Sequence, residues 1–283
     1  MRRSPRGVGS SRVRPEQASS GSPDFTNVVR LDVVDSTNRY AADAARRGAP
    51  DGLVVVAEEQ TAGRGRLART WVAPRGEALL CSVVLRPGLG VEDLHLVPTA
   101  VALAAADAAA QTSGAPITMK WPNDLVAGDA KVGGVLAEVV APADRAGQAP
   151  AALVVGVGIN LEAGGVLALL GPEAAGRVTG LTELAGRPVA RDEVLEAMLG
   201  SLRHRWGANR SSDRSTMEEY RARCSTLGRR VRADTVRGSF SGLARLIDDA
   251  GRLVVDLGGG EVALDAADII HLRDDPPDGG SAS

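Results

Sequence analysis

The period of apolar and polar positions changes several times along the chain, and the changes divide it. Residues 1–26 (MRRSPRGVGSSRVRPEQASSGSPDFT) hold almost no large apolar side chains and are rich in Arg, Ser, Pro and Gly, which predicts a disordered tail. Asp35-Ser36-Thr37-Asn38 supplies four consecutive N-cap residues before an Ala-rich segment ending near Gly48, so a helix is expected there. Runs 52–58 (GLVVVAE) and 78–85 read as buried strands, and 92–112 as a second helix. Three more strand-like runs, 117–121, 131–140 and 153–161, follow with no helix between them. That succession favours a mixed or antiparallel sheet over a parallel, doubly wound one.

Further on, Leu195, Met198, Leu199, Leu202 and Trp206 fall on one face of a helix over 192–206, and 216–224 predicts another. After Gly228 the texture becomes all-β. Short strands are expected at 230–233, 238–247, 253–257, 261–264 and 269–272, joined by glycine-containing turns, as in a small barrel. The expected organisation is a tail over 1–26, a main α+β domain over 27–226, a β-module over 227–273 and a polar tail over 274–283.

Composition narrows the function classes. The 33 basic and 35 acidic residues nearly cancel, which argues against a surface built mainly to grip nucleic acid or an anionic membrane. The stretch 96–110 is mostly alanine and is broken by Pro98 and Asp107, so no bilayer span is expected; no apolar run follows Arg2-Arg3 to make an export signal. Two cysteines, Cys81 and Cys224, suit a reduced cytoplasmic setting and core positions. His95, His204 and His271 lack metal-ligand spacing, and neither a Ser-His-Asp arrangement nor a Walker loop occurs. Of the 33 basic residues only Lys120 and Lys131 are lysine.

Three segments carry candidate chemistry. Gly63-Arg64-Gly65-Arg66-Leu67-Ala68-Arg69-Thr70-Trp71 lies between two strands; it reads either as an anion cradle with charge-assisted forks or as an exposed turn in an Arg-biased chain. Lys120-Trp121-Pro122-Asn123-Asp124 and Lys131-Val132-Gly133-Gly134 hold both lysines and no arginine, which points to sites needing a compact ammonium, as at a phosphate oxygen; a solvated strand-end charge is the other reading for Lys120. Gly156-Val157-Gly158-Ile159-Asn160 hints at a dinucleotide loop, but with no third glycine the better reading is close strand packing.

Together, Asp35 to Asn38, Gln60 to Trp71, Lys120 to Asp124, Lys131 to Glu138 and Gly156 to Asn160 resemble the bacterial biotin–protein ligases, in order and spacing, over about residues 30–272. The resemblance implies a mixed β-sheet with packed helices, of the class II synthetase and biotin/lipoyl-ligase kind, followed by an SH3-like barrel. It implies that biotin and ATP are substrates, that biotinyl-5′-AMP is formed, and that a lysine of a biotin carboxyl carrier domain is the acceptor. By resemblance, Ser36, Thr37, Asn38, Gln60, Gly63, Arg64, Gly65, Arg66, Lys131 and Gly133 bind biotin. Arg66, Arg69, Trp71, Lys120, Asn123, Lys131 and Asn160 bind ATP, with Lys131, Arg66 and Lys120 catalytic. Mg²⁺ is expected with ATP, Asp124 being the one candidate ligand.

The family loop commonly reads Arg-Gly where this chain has Leu67-Ala68, so Ala68 is expected to restrict a position needing positive φ. Only about 30 residues precede Asp35, too few for the winged helix-turn-helix of relatives that double as repressors. A short-form ligase, monomeric or weakly dimeric and without DNA binding, is therefore expected. A lipoate-type ligase and a DNA-binding regulator are the alternatives.

Overall fold

The computed structural model describes residues 23–141, 152–207, 214–235 and 238–272. A seven-stranded sheet is built from β1 (Val28–Val34), β2 (Val54–Gln60), β3 (Ala78–Leu85), β4 (Thr118–Lys120), β5 (Asp124–Ala127), β6 (Ala130–Val140) and β7 (Ala152–Asn160). Their order is β1-β2-β3-β7-β6-β5-β4. Only β1 and β2 run parallel; every other pair is antiparallel, so the sheet is mixed. Helix α1 (Thr37–Arg46) lays Ala41, Ala42, Ala44 and Ala45 on one face of it, against Val55, Val84 and Val154.

The opposite face carries α2 (Leu96–Ser113) and α5 (Arg191–Gly207), with α4 (Leu181–Ala185) and α6 (Arg214–Ala222) packed on α2; α3 (Gly164–Leu170) follows β7 and is tied by its Gly165 N–H to Glu77. Alanine lets α2 bury itself between the sheet and α5, and Pro98 sits in its first turn, where a missing N–H costs nothing. By length and composition this helix could cross a membrane, but it is the core helix of the domain. A second, five-stranded antiparallel sheet follows: β8 (Arg230–Thr235), β9 (Gly238–Ile247), β10 (Leu253–Asp256), β11 (Glu261–Leu264) and β12 (Asp268–His271), in the order β11-β10-β9-β8-β12. Trp121 binds it to the larger sheet, its indole N–H donating to the Gly251 carbonyl at 3.0 Å.

Some expectations need correcting. Phe25, expected in the tail, is 1% exposed and meets Trp206 edge-on at 6.4 Å. Strand β1 was not expected at all, since as a half-exposed edge it lacks a clean alternation. Strand β5 and helices α3 and α4 are likewise too short to show a period. Residues 1–22 and 273–283, which include most of both expected tails, lie outside the described residues.

One charged cluster locks α2, α5 and α6 together. Arg205, 10% exposed at its side chain, donates to Asp107 at 2.7 Å and to Glu219 at 2.8 Å, and Arg223 adds a bond to Asp107 at 2.6 Å. Burial opposes ionisation of Asp107, yet its bonds from Arg205, Arg223 and Ser201 hold it below the usual carboxylate range; the Arg205 bond does the same to Glu219. Arg205→Met is expected to lower the unfolding free energy by about 3 kcal/mol at neutral pH, measured by chemical denaturation. Both carboxyls are depressed, so this stabilisation exists above their unfolded pKa values and fades as pH falls through the folded ones. The gap between wild type and variant should therefore narrow in acid.

Candidate active site

Where the C-terminal ends of β2 and β7 approach the start of α1, a cleft of about 350 Å³ opens, walled by the 60–71 loop, the 120–131 segment and the β-module. The N-cap sequence places Ser36, Thr37 and Asn38 at the mouth of α1, all buried. Gln60 Oε1 accepts from Thr37 N at 2.8 Å and from Thr37 Oγ1 at 3.0 Å. The Ser82 hydroxyl lies 2.8 Å from Thr37 Oγ1 and 2.6 Å from Asn38 Oδ1. Ser36 makes no capping bond, which leaves its hydroxyl available. The result is a rigid polar nook set in an apolar sheet, suited to a small neutral head group with both donors and acceptors.

Beside it the charge changes sign. Arg64, Gly65, Arg66, Arg69, Trp71, Lys120, Asn123, Asp124 and Lys131 all line the same cleft. Lys131 Nζ bonds Asp124 Oδ1 at 2.6 Å and lies 5.6 Å from the Trp71 ring centre. The backbone of Lys131 is gripped by Arg177 and Thr179, so the side chain projects from a fixed point. Burial pushes the Lys120 ammonium below the usual lysine range; Asp124 opposes this and Lys131 adds to it. Arg64 pairs with Glu138 at 2.9 Å, and Arg69 pairs with Asp268 of the β-module. Arg66 has no ion pair among the described residues and is half-buried. Five cations on one wall can bring two anions together in advance of reaction. The cleft thiol, Cys81, is 1% exposed and burial pushes it up to about 12, so it is no nucleophile.

Three residues expected at the site do not line the cleft. Gly63 closes the loop, since Trp71 N donates to its carbonyl at 3.0 Å and a Cβ there would strike the Trp71 carbonyl. Gly133 lets β6 pass close to the Gly158 carbonyl of β7. Asn160, 3% exposed, turns its amide to the Thr179 carbonyl at 3.2 Å. The pair Gly156 and Gly158 is no dinucleotide turn: both lie within β7, and their missing side chains make room for Asn38 and for the Trp71 ring. A Cβ on Gly158 would fall 2.6 Å from that ring. Gly158→Ala is accordingly expected to cost about 1–3 kcal/mol in denaturant unfolding.

The positive φ of the loop falls on Leu67 (54°), not on Ala68 as expected. Ser82 and Glu138 stand behind the cleft rather than in its lining, holding Thr37, Asn38 and Arg64, and the sequence did not single them out. Their one signal is a polar residue inside an apolar strand. Asp124 is committed to Lys131, and among the described residues no group of three or more His, Cys, Asp or Glu could hold a metal.

Residues 31–160 match the Biotin/lipoate A/B protein ligase family, and residues 226–272 match the Biotin protein ligase C terminal domain. The chain is 36% identical over 253 residues to the Biotin--[acetyl-CoA-carboxylase] ligase of Mycobacterium tuberculosis, covering 86% of this chain and 90% of that one. It is 30% identical to the Bifunctional ligase/repressor BirA of Bacillus subtilis, covering 86% and 73%. Among solved structures, the biotin protein ligase from Aquifex aeolicus in complex with biotin and ATP superposes with a TM-score of 0.68 at 27% identity, over 88% of this chain and all of that one. The two matched segments coincide with the two sheets, and the cleft lies between them. With a neutral nook and a cationic wall between those sheets, the chain belongs to the biotin protein ligase family.

Proposed function

We infer that the protein is an ATP-dependent biotin–protein ligase. The biotin carboxylate attacks the α-phosphate of ATP, the bond to the β-phosphate breaks, and pyrophosphate leaves biotinyl-5′-AMP behind. A lysine amine of a biotin carboxyl carrier domain of acetyl-CoA carboxylase then attacks the acyl carbon, AMP departs, and an amide results. The observation that carries this reading is the direct adjoining of the Gln60–Thr37–Ser82 nook and the cation wall within one cleft.

We assign Ser36, Thr37, Asn38 and Gln60 to the biotin head, with the backbone around Arg64 and Gly65 closing over it; Gly63 and Gly133 shape this pocket from behind. Lys131 and Arg66 stand where carboxylate and α-phosphate meet. Lys120, Asn123 and Arg69 hold the remaining phosphates and Trp71 packs on the nucleotide. Asn160 is assigned to anchoring the strand that grips Lys131, through Thr179, rather than to a nucleotide contact. Mg²⁺ would lower the charge of the phosphates. The cleft carboxylates Asp124, Asp234 and Asp268 already pair with cations, so the metal would rest mainly on phosphate oxygens and water, with Asp124 as the candidate protein ligand.

Biotin-dependent exchange of pyrophosphate into ATP is the deciding assay. Exchange with lipoate and not with biotin would overturn the reading in favour of the alternative within the matched family. We place the enzyme in the cytoplasm, as a monomer or weak dimer that does not act on DNA. Salt-dependent retention of operator-like duplexes would contradict that last point.

A further inference from the structure

We propose that Asp268 is a positioning residue for this reaction: from the β-module it holds Arg69 and so keeps the glycine–arginine loop closed over the acyl-adenylate between the two half-reactions. The inference rests on the ligase reading above and adds to it a role for the second sheet.

The loop is a narrow hairpin with bonds of its own. Gly65 N donates to the Arg69 carbonyl at 2.7 Å, Arg69 N to the Arg66 carbonyl at 3.1 Å, and Trp71 N to Gly63 at 3.0 Å. Its tip, Leu67, is 53% exposed. Its outside ties are few. The near limb is held through Arg64 to Glu138 and the base through Trp71 on Gly158, whereas the far limb is held by the Arg69–Asp268 pair.

Asp268 is a firm anchor for that tie. It opens β12, stands opposite Asp234 in the register with β8, and lies between buried Ala267 and Ile269. Residues 267–270 form part of the cleft wall, so the pair spans the site instead of decorating the outer surface. The module is itself pinned to the main domain by Trp121, through Gly251, and by the Arg221 bond to the Ile247 carbonyl at 2.7 Å.

The contact also leaves Arg69 usable. Only Nη2 is engaged with Asp268, and among the described residues the rest of the guanidinium fork has no partner, so a phosphate can join without displacing the carboxylate. A fixed negative charge in a cleft for anions is a cost to ATP binding. Its removal should therefore separate two properties that a general structural defect would damage together.

The test measures escaped adenylate as hydroxylamine-trapped biotin hydroxamate, with ATP and biotin but no acceptor, divided by the pyrophosphate exchange rate. D268N is expected to raise that ratio about threefold to fivefold while the KM for ATP stays level or falls. D268E should restore the ratio, and D268N combined with R69Q should be no leakier than R69Q alone. An unchanged ratio in D268N, a rise in KM for ATP along with leakage, or additive effects in the double variant would overturn the proposal. The wild type gives an independent check, because Arg69 is largely exposed: leakage should rise with ionic strength, and that dependence should weaken in R69Q. No salt dependence in the wild type counts against the latch even if D268N fails to fold. Failure of biotin-dependent exchange in the wild type would instead sink the ligase reading itself.

Discussion

Lys131→Ala is expected to cut biotin-dependent pyrophosphate exchange about a hundredfold to a thousandfold, while the protein stays folded. Adenylation requires a carboxylate and a polyphosphate to come within bonding distance. Their repulsion must be offset by cations fixed beforehand, and removal of one such preorganised group commonly costs two to three orders of magnitude. Lys131 is held at a fixed point in the cleft. Its backbone is paired with the 177–179 segment, and its ammonium lies against Asp124 and over the Trp71 ring. Lys120 stands on β4, separated from the Lys131 strand by β5, and so does not take its place. With the side chain one-third exposed, truncation opens no core cavity, so circular dichroism and the thermal midpoint should stay close to wild type. Near-normal exchange in the variant would remove Lys131 from the site.

Arg66→Gly is expected to give the second large effect: an enzyme that still makes biotinyl-5′-AMP but lets it go. Arg66 lines both the main cleft and an adjoining cavity of about 230 Å³ whose walls include Pro98, Ala102, Met217 and Tyr220. With Trp121, Pro122, Asn123, Val135 and Leu136 it forms the wall that the two share. Loss of a charge-assisted bond worth roughly 1.5–3 kcal/mol would speed adenylate release about tenfold to a hundredfold. Glycine would also free the hairpin's backbone. The measurement is biotin incorporation into a bystander protein such as serum albumin, which should rise about tenfold or more above wild type. A variant that labels only its cognate acceptor, at the normal rate, would show that Arg66 does not retain the intermediate. The Asp268 variants act on the same loop from outside, so the two effects should not add.

Much of the site was legible because its chemistry lies in short polar runs that stand out in an apolar, Arg-biased chain. Ser36 to Asn38, Gln60, the glycine–arginine loop, Lys120 to Asp124 and Lys131 all meet in one cleft. What was not legible is of a different kind. Ser82 and Glu138 are single polar residues in strands, and a lone polar position in an apolar run has many explanations until its partners are seen. Asn160 sits in a recognisable motif but bonds Thr179, from a segment without periodicity. Phe25 was hidden by the polar company it keeps in sequence, although it reaches Trp206 in the core.

The sequence by itself determined the local elements that have a clear period, the mixed character of the main sheet, the all-β texture after Gly228, and which residues carry the charge. These are properties of neighbours along the chain, where spacing and residue type act directly on the backbone. Only the tertiary structure decided partnership. It set Gly156 and Gly158 as the spaces for Asn38 and Trp71, gave Arg64 to Glu138 and Lys131 to Asp124, and joined Arg69 to an aspartate 199 residues away. Composition showed 31 arginines and two lysines without saying which would be held by a carboxylate and which left for a substrate. That choice depends on distances of a few ångströms between elements remote in sequence, and the packing of two sheets around one cleft is what sets them.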